Sequence, residues 1–190
     1  MMRIITGTAR GTKLFTLPGD TTRPTTEFAK EAIFNTISSD IEGRNVLDLF
    51  AGSGQMGLET LSRGAKHCVF TDSSKEAIEV VRRNCEKTKL SDRAEVRFMD
   101  AMRYVKSVAG KTKFDLIFVD PPYEKKIIPS TLKTIAKCDI LSDTGIIVCE
   151  DGFAGLTTRE PQILDYYDLI KEASYGRLHI FYLKKKAQND

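Results

Sequence analysis

Residues Asp120-Pro121-Pro122-Tyr123 place a carboxylate, two prolines and an aromatic ring in consecutive positions. They follow the apolar run 114–119, interrupted only by Asp115, which is typical of a buried parallel strand. Prolines donate no backbone hydrogen bond, so the carbonyl groups here stay able to accept one from a ligand. A carboxylate, a carbonyl and a flat ring suit a planar base that carries an amino group. The alternative is that Asp120 caps the next helix and the prolines only end the strand.

A glycine-rich segment is the second place where chemistry is expected. The strand residues Val46 to Leu49 lead through Phe50 into Gly52-Ser53-Gly54-Gln55-Met56-Gly57. Glycines at a turn from strand to helix let a ligand approach the backbone, and the helix N-terminus can hold an anionic group. The segment therefore predicts a cofactor site that includes Phe50, Ser53 and the first two glycines.

Two cofactors compete for this segment. Its Gly-x-Gly-x-x-Gly spacing, with Asp72 further on, fits the dinucleotide fingerprint. However, Asp48 occupies the end of the strand and three residues separate it from the glycines. A carboxylate at this point favours a ligand with an ammonium group as well as a carboxylate, and S-adenosylmethionine has both. Asp48 would then order the loop or the amino end of that ligand.

Two further aspartates follow the next two predicted strands. Asp72 is expected to accept from ribose hydroxyls under either interpretation, and Asp100, followed by Ala101, from the adenine amino group. Because the carboxyl ends of parallel strands share one edge of a sheet, these side chains are expected on the same side as Asp48. The alternative for both aspartates is a helix-capping role.

Composition indicates one domain without a membrane segment. The 190 residues are 41% hydrophobic and 29% charged, which suits one core, and no apolar run approaches the length of a membrane helix. The N-terminal Met-Met-Arg has no apolar signal region, so we expect a cytoplasmic protein. The four cysteines are scattered and only two histidines occur, which argues for buried free thiols and against a metal site or a histidine relay.

Basic charge concentrates at the two ends of the chain. Residues 1–30 and residues 171–190 each carry five Lys/Arg against two Asp/Glu, although the net charge is only +3. Arg10 and Lys13 fall on a predicted N-terminal hairpin, and Arg23 precedes the first helix, so we expect these three residues to contact RNA. The alternatives are a surface salt bridge for Arg23 and a solubilising tail for residues 184–186.

The remaining pattern alternates strands with helices and predicts a doubly wound, mostly parallel α/β sheet. Two short runs, 3–7 and 13–17, predict the N-terminal hairpin, and a helix is expected from Glu27 to about Ser38. Strands are predicted near 45–49, 67–71, 94–98, 114–119 and 145–150, and helices near 55–63, 74–89, 100–108 and 129–137. An antiparallel hairpin over 167–173 and 178–183 completes the sheet.

Several motifs together make the chain similar to a known family. They are Arg3-Ile4-Ile5-x-Gly7, Gly11-x-Lys13-Leu14, Arg23-Pro24-Thr25-Thr26, Glu31-Ala32-Ile33-Phe34-Asn35, Asp48 to Gly54, Leu61-Ser62-Arg63-Gly64-Ala65 and Asp120 to Tyr123. The glycine and proline motifs resemble class I S-adenosylmethionine-dependent methyltransferases that act on amino groups. With the N-terminal blocks, the chain resembles the RsmD family of 16S ribosomal RNA guanine-N2 methyltransferases over nearly its whole length. Glu27, Phe28, Gln55 and Met56 depart from the family pattern.

The resemblance implies a fold, a cofactor and a reaction. The fold is a Rossmann-like seven-stranded sheet with an RNA-contacting extension over 1–44 and a catalytic core over 45–190 of a single domain. The cofactor is S-adenosylmethionine, held by Asp48, Gly52, Gly54, Asp72, Asp100 and Ala101. The target guanine is held by Asp120, Pro121 and Tyr123, without a metal. The implied partner is ribosomal RNA or the small ribosomal subunit.

Three other functions stay open on the sequence. A nicotinamide oxidoreductase would use the glycine segment but leaves the prolines and Tyr123 without a role. An amino-methyltransferase for DNA, another RNA or a protein would share the core site and differ in the N-terminal blocks. A non-catalytic RNA-binding module would need the basic ends but not the glycine turn.

Overall fold

The computed structural model describes residues 2–17, 24–121 and 127–187, but not the side chains of residues 24–26. The helices are α1 (Pro24–Thr36), α2 (Gln55–Ser62), α3 (Lys75–Thr88), α4 (Ala101–Ser107), α5 (Ile127–Cys138) and α6 (Leu156–Arg159). The strands are β1 (Asn45–Asp48), β2 (His67–Asp72), β3 (Ala94–Phe98), β4 (Phe114–Val119), β5 (Leu141–Asp151), β6 (Tyr167–Tyr175) and β7 (Leu178–Lys185).

The seven strands are ordered β3-β2-β1-β4-β5-β7-β6. The pairs β1–β2, β2–β3 and β4–β5 are parallel, whereas β7 is antiparallel to both β5 and β6. Helices separate the parallel strands in the chain, as crossover connections require. The predicted class, a doubly wound and mostly parallel sheet that ends in an antiparallel hairpin, is confirmed.

The chain divides into two compact units, residues 1–101 and residues 102–190. In the first unit, β1 buries Val46 and Leu47 ahead of its terminal Asp48, and α2 packs against β1 and β2. Helix α3 packs against β2 and β3 and turns its apolar side inward through Ala77, Ile78 and Val81. The division predicted from the sequence, at residue 44 within one domain, stays a prediction.

The second unit contains β4 to β7. Strand β4 is buried along almost its whole length, which explains why its residues are apolar except for Asp115. Strand β5 pairs with it from Val119–Cys149 back to Leu116–Ile146. The register then shifts between Phe114 and Leu116. Tyr167 connects β6 to α5 in this core, because its hydroxyl donates to the Leu132 carbonyl at 2.9 Å.

Several predicted boundaries were wrong. Helix α1 begins at Pro24 rather than Glu27, since proline suits the first position of a helix. Strand β5 begins at Leu141, before the predicted residue 145, because it continues past the register shift. The N-terminal hairpin has one antiparallel bridge, Arg3–Lys13, instead of two strands. The short helix α6 was not predicted.

Among the described residues, no helix has the length and apolar character needed to cross a bilayer. All four cysteines are free, and Cys68, Cys85 and Cys149 are buried, as predicted. Burial raises the pKa of the Cys85 thiol to about 12, so this group is an inert part of the core.

Candidate functional site

In the first unit, the glycine loop connects β1 to α2, and its backbone adopts a conformation that residues with a side chain rarely adopt. Gly52 and Gly54 have φ of 53° and 77°, in the left-handed region, and Gly54 is the N-cap of α2. A Cβ added at Gly52 would meet no atom within 4 Å, so this side of the loop is open. A ligand can therefore reach the backbone at Gly52.

The third glycine has a packing role. A Cβ on Gly57 would lie 2.3 Å from Cε1 of Phe70 and 2.7 Å from Sγ of Cys68, both on β2. Only glycine lets α2 approach β2 this closely.

The predicted cofactor residues Phe50 and Ser53 lie in the loop before α2. Phe50 is half-buried, and the buried Ser53 donates from Oγ to Sδ of Met2 at 3.0 Å.

Asp48 is buried under the loop with 4% of its surface exposed. Its Oδ2 accepts from the Gly57 backbone N–H at 3.0 Å, which fixes the first turn of α2. Burial, reinforced by the charge of Asp72, raises the pKa of Asp48 to about 7 in spite of that hydrogen bond. No lysine or arginine among the described residues forms an ion pair with Asp48. The site thus contains a buried acid without a cation.

Asp72 at the end of β2 ties the loop to the next helix. Its Oδ2 accepts from the Gly52 N–H at 2.9 Å and its Oδ1 from the Ser74 N–H at 2.8 Å. The alternative that Asp72 caps α3 was wrong, because the N-cap of this helix is Ser74, whose side chain accepts from the Ala77 N–H. Each carboxylate oxygen of Asp72 keeps a lone pair for a further donor.

The end of β3 places Asp100 and Ala101 at the start of α4. Asp100 is exposed and directly precedes the helix, whereas Ala101, its first residue, is buried. Because the Met99 N–H donates to the Asp72 carbonyl at 3.0 Å, the two predicted cofactor aspartates are connected through backbone. The first unit therefore gathers Asp48, Asp72 and the glycine loop, and links Asp100 to them.

In the second unit, Asp120 and Pro121 follow β4. Asp120 is exposed and Pro121 is buried, whereas Pro122 and Tyr123 lie outside the described residues. The exposed carboxylate stands directly after a strand that is buried on both faces, as expected for a residue offered to a ligand at the carboxyl edge. Residues 122–126, between Pro121 and the first described residue of α5, lie outside the described residues, so the helix-cap alternative stays open.

Acidic groups surround this end of β4 and β5. Burial, together with the carboxylates of Asp151 and Asp120, raises the pKa of the Cys149 thiol, and burial also raises the pKa of Glu150. Asp151 is compensated by Arg159, whose guanidinium lies 2.5 Å from Oδ2. Arg159 also lies over the ring of the exposed Phe153 at 5.7 Å. Asp120 is thus the exposed carboxylate at this edge, and a carboxylate suits an amino group that gains positive charge.

Similarity to known proteins identifies the family of this chain. Residues 2–184 match the family model described as Conserved hypothetical protein 95. The chain belongs to the RsmD family. Relatives include YlbH of Bacillus subtilis, 37% identical over 97% of this chain and all of that protein. Another is the Ribosomal RNA small subunit methyltransferase D of Haemophilus influenzae, 30% identical over 92% of this chain and 89% of that protein.

Solved structures support the same assignment. The Escherichia coli protein yhhF superposes with a TM-score of 0.84 at 30% identity and covers 98% of both chains. The RsmD resemblance predicted from the motifs is thus confirmed, and so is the class I methyltransferase fold.

The N-terminal arm, residues 2–17, contacts helix α2. Two of the RsmD-family motifs, at residues 3–7 and 61–65, therefore lie together in the structure. Glu59 of α2 is completely buried and accepts from the backbone N–H groups of Ile5 at 2.7 Å and Thr6 at 3.0 Å. Its charge is compensated by Lys30 at 3.4 Å and Arg63 at 2.9 Å. These bonds to α2 add to the backbone hydrogen bonds within the arm, which include Ile4 N–H to the Thr12 carbonyl at 3.0 Å.

Ser62 continues this connection. Its Oγ accepts from the Ala9 N–H at 3.0 Å and donates to the Thr6 carbonyl at 2.6 Å. A Cβ at Gly7 would lie 1.8 Å from the Ser62 carbonyl oxygen, so only glycine permits this approach. Sequence reasoning missed the roles of Glu59 and Ser62, although a charged residue within an otherwise inward-facing helix is a signal that could have been used.

The predicted RNA residues of the arm are accessible where described. Arg10 and Lys13 are exposed, and Arg23 lies outside the described residues. Of the departures from the RsmD pattern, Glu27 pairs with Arg3 at 2.9 Å and Phe28 is 62% exposed. Gln55 and Met56 open α2 and are half-buried.

Proposed function

We propose that this protein transfers the methyl group of S-adenosylmethionine to the exocyclic N2 amine of a guanine in 16S ribosomal RNA, in the cytoplasm. Membership of the RsmD family, with Asp120-Pro121 after β4, carries the most weight. The curated relative from Haemophilus influenzae is named a small-subunit ribosomal RNA methyltransferase. Naked RNA or the small ribosomal subunit is the partner.

The electrostatics of the first unit favour a cationic cofactor over a dinucleotide. Asp48 is a buried acid beside Asp72, and neither has a lysine or arginine partner among the described residues. The pyrophosphate of a dinucleotide would add negative charge to this pair. S-adenosylmethionine instead carries a sulfonium and an ammonium, which oppose the carboxylate charges. Its own carboxylate can meet backbone N–H groups of the glycine loop other than those of Gly52 and Gly54, which donate to Asp72 and to the Ala51 carbonyl.

The remaining contacts of the cofactor follow from donor and acceptor types. Asp72 accepts from the ribose hydroxyls with the lone pairs that its two backbone bonds leave over. Asp100, with Ala101, receives the adenine amino group. Phe50 and Ser53 border the loop and complete this set.

Guanine's N2 amine is a weak nucleophile because its lone pair is delocalised into the ring. The Asp120 carboxylate and the Pro121 carbonyl accept its two N–H groups, which turns the lone pair toward the methyl group and opposes the positive charge that develops on nitrogen. A carbon–nitrogen bond forms as the carbon–sulfur bond breaks, S-adenosylhomocysteine leaves, and the amine loses one proton to solvent. No covalent enzyme intermediate is needed.

The target base must leave its stack or come from an unpaired loop. Stacking on Tyr123 would hold it and is worth about 1–3 kcal/mol for a base on an aromatic ring. Arg10, Lys13 and Arg23 bind the phosphate backbone and place the RNA. Their contribution is electrostatic and should weaken with added salt.

Methylation of defined RNA tests this function directly. Ribosomal RNA and small subunits are prepared from cells that lack the gene and are incubated with the protein and labelled S-adenosylmethionine. We expect one modified nucleotide, identified by mass spectrometry as N2-methylguanosine and mapped by primer extension. Methylation of another atom or of DNA, or hydride transfer to a nicotinamide cofactor, would overturn the proposal.

A further inference from the structure

A pair of cations on α3 flanks an aromatic ring of the N-terminal arm. The guanidinium carbon of Arg83 lies 4.0 Å from the centroid of the Phe15 ring, and Nζ of Lys87 lies 4.2 Å from it. Arg83 and Lys87 are one helical turn apart and exposed, and Phe15 is half-buried. Phe15, Arg83 and Lys87 together form the Phe15 cluster.

The cluster concentrates positive charge that the protein does not neutralise. Like charges four residues apart on a helix repel each other. Neither Arg83 nor Lys87 forms an ion pair with a carboxylate in the described part of the chain, whereas the neighbouring Arg82 pairs with Glu79 at 2.9 Å. The ring faces both cations and keeps them together. Such a fixed, uncompensated pair suits a strongly anionic ligand.

The position of Phe15 is set by buried contacts. Its backbone N–H donates to Oδ1 of Asn84 at 2.8 Å, and Nδ2 of Asn84 donates to the Phe15 carbonyl at 3.0 Å. Asn84 is completely buried and also donates to the Ser53 carbonyl of the glycine loop at 2.9 Å. The cluster is therefore pre-organised and connected through one side chain to the candidate cofactor loop.

We propose that the Phe15 cluster binds the phosphate backbone of the RNA substrate, as a contact additional to those of Arg10, Lys13 and Arg23. The arm that supplies Phe15 also carries Arg10 and Lys13, so one strand of RNA following the arm meets both groups. A polyanion satisfies both cations at once and relieves their repulsion. This inference rests on the proposed function for the identity of the RNA, but not for the presence of the phosphate site.

The test compares two glutamine variants on the same helix. The double variant Arg83→Gln/Lys87→Gln removes both cations of the cluster. The control Arg82→Gln removes one exposed cation that is already paired with Glu79 and lies about 100° around the helix from Arg83. The affinity of each protein for a 16S ribosomal RNA transcript is measured over a series of salt concentrations.

We expect the slope of log Kd against log salt to fall by about 1.4 in the double variant, since each phosphate contact to single-stranded RNA contributes about 0.7. The KM for RNA should rise about tenfold, while kcat and the Kd for S-adenosylmethionine stay unchanged. The control should keep the wild-type slope. An unchanged slope in the double variant, or an equal change in the control, would overturn the inference.

A milder variant guards against misfolding. Lys87 lies in the last turn of α3. The single variant Lys87→Gln should lower the slope of log Kd against log salt by about 0.7 and leave the circular dichroism spectrum unchanged. Failure of the proposed function remains distinguishable. If the wild-type protein binds RNA with the expected slopes but methylates no guanine, the proposed reaction is wrong and the phosphate site stands.

Discussion

Asp48 is a buried carboxyl group to which we assign a role in the proposed cofactor site. Its pKa of about 7 in the folded protein lies above the value of 3.8 for an ordinary aspartate, because the ionised form is buried. The folded state therefore binds the proton more tightly than the unfolded state. The stabilising contribution of this group is fully present below about pH 4 and is lost as the pH rises to about 7.

The substitution Asp48→Asn removes this dependence and keeps an oxygen for the Gly57 N–H. We expect the free energy of unfolding of the wild type to fall relative to the variant by about 4 kcal/mol between pH 4 and pH 7, at 1.4 kcal/mol per pH unit. Urea denaturation at several pH values measures the difference. A constant difference between the two proteins across this range would contradict the assignment.

Asp48 should also make cofactor affinity depend on pH. A cationic ligand binds the ionised carboxylate better, so the affinity of the wild type for S-adenosylmethionine should rise as the pH increases through about 7. The Asp48→Asn protein should bind more weakly and lose this rise. Isothermal titration calorimetry measures both effects, and a wild-type affinity that is flat from pH 6 to pH 8 would count against the role.

Asp120 is the residue assigned to the target amine. Asp120→Asn keeps the shape of the side chain and removes its charge, so kcat should fall by about 10²- to 10³-fold while the Kd for the cofactor stays unchanged. Asp115→Asn is the matched control, since Asp115 lies on the same chain segment and can keep its bond to the Ser142 hydroxyl. A near wild-type kcat for Asp120→Asn in single-turnover methylation would exclude the role.

At the scale of elements, the contact between the N-terminal arm and α2 depends on a buried charge network. Glu59→Gln leaves the buried Lys30 without its carboxylate and places an amide where two backbone N–H groups need acceptors. Breaking one side of a buried ion pair costs about 3–5 kcal/mol. We expect the free energy of unfolding in urea to fall by this amount.

Glu79→Gln supplies the control for that network. Its partner Arg82 is half exposed, and a surface ion pair of this kind contributes about 0–1 kcal/mol. The two variants should therefore differ several-fold in their loss of stability. If Glu59→Gln lost no more than Glu79→Gln, the arm would be held by its apolar contacts alone.

At the scale of the whole molecule, binding of the correct cofactor must raise thermal stability. S-adenosylmethionine at 100 times its Kd stabilises the folded state by about 2.7 kcal/mol. For a chain of this size that is a rise in Tm of about 5–10 °C. NAD⁺ at the same concentration should leave Tm unchanged. A rise in Tm with NAD⁺ and none with S-adenosylmethionine would support the oxidoreductase alternative.

Most of the parallel sheet could be predicted from local pattern. Buried parallel strands appear as apolar runs such as 114–119, interrupted only by Asp115, and glycines mark the turn from β1 into α2. Asp120 and Asp72 were placed correctly because a strand end is a local feature. Periodicity does not show where a helix of four residues such as α6 begins, nor that β5 continues past a register shift.

The sequence by itself determined the alternating architecture and the family, because these depend on order and type along the chain, and it predicted which residues carry the chemistry. Only the tertiary structure decided that Glu59 and Asn84 hold the N-terminal arm, and that burial shifts the pKa of Asp48. These properties depend on which groups remote segments bring together and on how much water they exclude. The charge of Glu59 within α2 is a local signal, but local spacing does not show that its partners are the backbone N–H groups of Ile5 and Thr6.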